Sequence, residues 1–88
     1  MQWQVVESRL IVRQMSRVPK EIQAKYCAWR QRVQEAGPNL RGGYRTHALH
    51  GKRTGEKSAW LGRQWRVIFR VFEHQLLVEA LELTPHKY

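Results

Sequence analysis

Residues 64–83 read QWRVIFRVFEHQLLVEALEL, and no other stretch restricts the fold so tightly. Trp65, Val67, Phe69 and Val71 alternate with Arg66, Ile68, Arg70 and Phe72. A period of two is that of a β-strand, whose successive side chains point to opposite faces. The run QLLVEALEL that follows also reads as β, and only Glu73 to Gln75 form the turn between the two. An antiparallel hairpin is therefore expected. The row from Trp65 to Val71 should meet the core, which turns Arg66 and Arg70 to the other face.

Upstream the period changes. Ile22, Tyr26, Trp29 and Val33 recur at helical spacing and make a single apolar stripe. Gly37 and Pro38 in EAGPN stop that helix. Leu10, Ile11 and Met15 suit a shorter helix that begins near Ser8 and stops near Pro19, and Ser16 or Pro19 can open the next one. Gln2 to Val6 reads as a short strand, and YRTHALHG and KSAWLG as extended segments. The order is β-α-α-β-β-β-β. The expected fold is α+β: two N-terminal helices packed on one face of a twisted, mainly antiparallel sheet of four to five strands. A chain of 88 residues supports one small core, so residues 1–88 are read as a single domain. The face of the sheet away from the helices is left free to bind.

Charge narrows what can bind there. Sixteen Lys and Arg stand against seven Asp and Glu, a formal net charge of +9. Such an excess repels itself unless an anionic partner offsets it. Nucleic acid is the first candidate and an anionic membrane surface the second. The membrane reading is weak, because no helix pairs a Lys-rich face with a strongly apolar one. No apolar run approaches the roughly 20 residues that span a bilayer, and MQWQVVESRL lacks the pattern of a signal peptide. The single cysteine, Cys27, excludes an internal disulfide and fits a reducing compartment. The expectation is a soluble, cytoplasmic protein in which Cys27 packs within its helix.

Two groups of residues could carry chemistry. The loop LHGKRTGEKS places Lys52, Arg53 and Lys57 among glycines, a composition suited to gripping a phosphate backbone. It lacks the spacing of a nucleotide-binding P-loop. The four histidines, His47, His50, His74 and His86, show no zinc-ligand spacing, so neither metal nor cofactor is expected. His74 falls in the hairpin turn and reads as surface. His47 and His50 differ in parity, so only one of them faces the open side. A histidine beside phosphate-binding cations suits metal-free RNA cleavage. A base takes the proton of the 2′-OH, cations hold the crowded phosphorane, and an acid protonates the leaving 5′ oxygen. Histidine, with a reference pKa of about 6.5, can serve in such steps near neutral pH. Alternating arginines on a sheet can equally be a solvated face with no ligand.

The run LHG…GEKSAWLGRQWRVIFRV, the strand LLVEALEL after it and the closing His86-Lys87-Tyr88 resemble the RelE/ParE superfamily of bacterial toxins, as does the order of elements. The resemblance implies an mRNA interferase that acts on message in the ribosome and is held inactive by a cognate antitoxin. By position it makes Arg66 the contact to the scissile phosphate and Lys57 a catalytic lysine on the preceding strand. His86 becomes the acid/base residue, and Tyr88 the aromatic that orients substrate. His47 and His50 lie where YoeB-like members carry a carboxylate base and a lysine. Lys52, Arg53, Arg70 and Lys87 would steer and hold RNA. The chain departs from the pattern at Ala59, where many relatives have a second basic residue. It also lacks the carboxylate base, so that His47, His50 or Lys57 would have to serve. ParE-type relatives poison DNA gyrase and lack the closing His/Tyr cluster. A non-catalytic gyrase inhibitor of that type, or a basic RNA-binding module, is the alternative reading.

Overall fold

A computed structural model describes residues 2–85. His86, Lys87 and Tyr88, and the roles expected of them, lie outside the described residues. The chain runs β1 (Gln4–Glu7), α1 (Arg9–Gln14), α2 (Lys20–Ala36), β2 (His47–Ala48), β3 (Lys57–Gly62), β4 (Trp65–Phe72) and β5 (Leu77–Pro85). Short 3₁₀ turns occupy Gly51–Arg53 and Glu73–Gln75. The five strands form one sheet in the order β1-β5-β4-β3-β2, antiparallel except where β1 lies parallel to β5. The α+β expectation holds: α1 packs against β5 and β1, and α2 against β3 and β1.

The helical stripe closes the core as its spacing requires. Ile22, Tyr26, Trp29 and Val33 are all buried, with the Trp29 ring 5.2 Å from that of Phe69. Val67 and Phe69 of β4, Ala59 and Leu61 of β3, and Val78, Ala80 and Leu83 of β5 join it, with Val5, Ile11 and Val18. Cys27 does not pack there; it is exposed. At about 100° per residue it stands well round the helix from the stripe, so the angle overrides the general tendency of free cysteine to be buried.

Three local devices fix the helices. Ser8 caps α1: its Oγ accepts from the Ile11 N–H at 3.1 Å and donates to the Leu81 carbonyl at 2.6 Å. That carbonyl belongs to a bulge. Phe69 pairs with Ala80 and Ile68 with Glu82, which leaves Leu81 without a partner on β4. Gln14 then grips both backbone groups of Leu83, each at 2.8 Å. On α2, the Tyr26 hydroxyl donates to Glu7 on β1 at 2.6 Å, and Arg30 reaches the same carboxylate at 3.4 Å. Burial, reinforced by Glu7, pushes the Tyr26 hydroxyl well above the usual tyrosine pKa, so it stays a donor.

Gly37 ends α2 with φ 88° and ψ 174°, a conformation open essentially to glycine alone. A Cβ there would also lie 3.0 Å from Nε1 of Trp3, whose ring covers the helix end. Gly37→Ala is expected to lower stability by about 2 kcal/mol. A urea titration should show this as a lower midpoint with an unchanged slope; an unmoved midpoint would contradict it.

Candidate functional site

β4 presents Arg66, Ile68, Arg70 and Phe72 on the face away from the helices, as its alternation dictates. That face is partly covered rather than free. Ile68 is fully buried although it points away from the helical core. Across the strands it lies in one row with His47, Ser58 and Glu82. Arg53, in the loop before β3, reaches over this row. It donates to Glu56 at 2.7 Å and to Glu82 of β5. The hydrogen bond that Arg53 donates to Glu56, above all, holds the Arg53 guanidinium above its ordinary pKa. A second carboxylate oxygen of Glu56 accepts from Arg70 at 3.2 Å.

Arg66 differs from both. It is half-buried, between Trp60 of β3 and Thr84 of β5. Its Nε is buried without a hydrogen-bond partner, and among the described residues its guanidinium makes no ion pair. A planar fork of donors with no carboxylate to satisfy it is suited to bind a phosphate or a phosphorane.

The other expected site residues scatter. His47 is exposed on β2, on the Arg66 side of the sheet, with Nδ1 2.8 Å from the Arg45 carbonyl. His50 and Lys52 are exposed in and beside the Gly51–Arg53 turn. The strand expected over YRTHALHG is limited to His47–Ala48, so parity does not govern His50. Lys57 pairs with Phe69, which puts it on the helical face, where Nζ donates to Asn39 at 3.3 Å. The structure thus brings Arg66 and His47 to one face and leaves Lys57 on the other. His74 is exposed in the β4–β5 turn.

Two features escaped sequence reasoning. Glu56 and Glu82 each take a cation that charge counting had left free. Trp60 lies directly opposite Arg66, with the Arg45 guanidinium 5.7 Å from its ring centroid. KSAWLG is apolar at both parities, so only the register reveals which face Trp60 takes. Among the described residues, no group of three His, Cys, Asp or Glu could hold a metal ion, and no helix is long and apolar enough to cross a membrane.

No protein-family model matches the chain, and no curated protein does. Solved structures do. RelE in the archaeal RelE–RelB complex of Pyrococcus horikoshii is similar with a TM-score of 0.80 and 26% identity, over 97% of this chain and 96% of that one. A chain of a toxin–antitoxin complex from Mycobacterium tuberculosis has a TM-score of 0.78 and 17% identity, over 99% and 100%. YafQ from E. coli has a TM-score of 0.78 and 15% identity, over 96% and 93%.

Proposed function

We propose, for a chain whose fold is that of the RelE/ParE toxin superfamily, that it is the toxin of a type II toxin–antitoxin pair and cleaves mRNA on the ribosome without a metal. The observation that carries this reading is Arg66, a half-buried cation with no carboxylate partner among the described residues of a strongly basic chain. In the proposed reaction the 2′-oxygen of one ribose attacks its own phosphodiester. Its proton passes to a base, for which His47 is the candidate on the Arg66 face. The P–O5′ bond breaks, and His86 protonates the departing oxygen, leaving a cyclic phosphate and a free 5′-hydroxyl. Arg66 holds the charge of the phosphorane, and Tyr88 orients the substrate.

Lys52 and Lys87 contribute attraction to the RNA. Arg53 and Arg70 do so only by exchanging their carboxylates for phosphate, and Lys57 acts from the far side of the sheet, steering rather than touching the phosphorane. The partner that restrains the toxin is an antitoxin whose acidic segment offsets the net charge of +9.

Primer extension on a translated message, after induction with and without ribosomes, tests the reading. Cuts confined to translated message are expected. Intact message during growth arrest would overturn it and favour a gyrase poison. Deleting residues 86–88 should abolish growth arrest, while the melting temperature stays within a few degrees, because the described core ends before them. Full toxicity of the truncated chain would remove His86 as the acid.

A further inference from the structure

We infer that Trp60 is the floor of a nucleobase-stacking subsite that positions the nucleotide next to the phosphate held by Arg66. The inference rests on the RNA-binding reading above and adds what that reading lacks, a contact to a base rather than to the backbone. Phosphate contacts give affinity, whereas single-stranded RNA is oriented by bases splayed onto aromatic rings.

Trp60 and Arg66 form a cross-strand pair. Paired residues lie about 5 Å apart at Cα, so a nucleotide whose phosphate rests on Arg66 has a base within reach of the indole. Trp60 is only half-buried, although it sits in the middle of a strand. Arg45 stands over its ring, held there by a backbone at φ 48°, which few residues other than glycine adopt. Indole plus guanidinium is the pairing on which nucleobases stack.

Room is present. A cleft of about 340 Å³ opens at the β3 edge, lined by Lys25, Gly43, Tyr44 and Gly62 together with Trp60. A side chain built at Gly43 or Gly62 would meet nothing within 4 Å, so both glycines border open space. The Trp60 backbone N–H donates to the Tyr44 carbonyl, which ties the Tyr44 segment to this end of β3. The cleft is large enough for one base and its sugar, and Lys25 puts one cation on its rim.

The test is a binding titration with single-stranded RNA of about ten nucleotides, the scale of such sites, in which every 2′-hydroxyl is methylated so that nothing can be cut. Trp60→Leu should weaken binding about tenfold, and Trp60→Phe should recover most of the loss. A series of probes with one abasic position each supplies the second arm. At one position the missing base should weaken the wild type about tenfold and leave Trp60→Leu unchanged, the signature of a shared contact. Equal losses for both proteins at every position, or wild-type affinity in Trp60→Leu, would overturn the subsite. A wild type that binds no probe would overturn the RNA reading along with it. Coupling without any cutting of translated message would keep the subsite and dismiss the nuclease.

Discussion

Arg66→Ala is expected to lower message cleavage about 10²- to 10³-fold and to relieve growth arrest, the scale on which one preorganised electrostatic donor acts. Arg53 and Arg70 are already engaged by Glu56 and Glu82, so truncating either removes a cation whose charge is largely neutralised. Arg66 has no such partner among the described residues, and its Nε is buried without a hydrogen bond. Removing it deletes an unsatisfied buried polar atom, so stability should hold. Arg66→Lys should recover little, since an ammonium keeps the charge but loses the fork. Thermal unfolding of each variant separates the two effects. If Arg66→Ala cuts message at wild-type rate while Arg70→Ala does not, the assignment moves four residues along β4, to Arg70.

Trp29→Ala is expected to be the most damaging single change to the fold. The residue is fully buried, its ring in tilted contact with Tyr26 at 5.8 Å and Phe69 at 5.2 Å, and joins α2 to the centre of the sheet. Truncating such a side chain costs about 3–5 kcal/mol, against about 5–15 kcal/mol for a whole domain. The melting temperature should fall by about 15 °C or more, given about 4–8 °C per kcal/mol in a domain of this size. The indole Nε1 is buried without a hydrogen bond, so Trp29→Phe removes an unpaired donor and should be much milder. A loss of only a few degrees in Trp29→Ala would mean that the core closes around the gap.

What the sequence disclosed was local. Periodicity along β4 placed Arg66 and Arg70 away from the core, and the stripe on α2 named its four buried residues. What it hid was relational. Lys57 reads as a partner of Arg66 until the register sets it opposite Phe69. Arg53 reads as a free cation until the fold brings up Glu82, 29 positions away. Trp60 reads as one more apolar residue until it meets Arg66 across the ladder. The parallel seating of β1 beside β5 leaves no mark in a four-residue strand. Cys27 is a different case, since its angle on the helix already sets it away from the buried stripe, against the general tendency of free cysteine.

The bulge at Leu81 works as a frameshift within a strand. Ala80 and Leu83 are three positions apart, an odd offset, yet both are buried on the helical side. Glu79 and Glu82 are likewise three apart, yet both face the arginines. Every position after Leu81 is thus read in the other phase, and Thr84 reaches Arg66 only because of it. Closing the gap by one residue would turn Glu82 and Thr84 into the core and Leu83 out of it. A single-residue deletion here would therefore act on core and candidate site at once, whereas paired insertion and deletion either side of Leu81 would restore both.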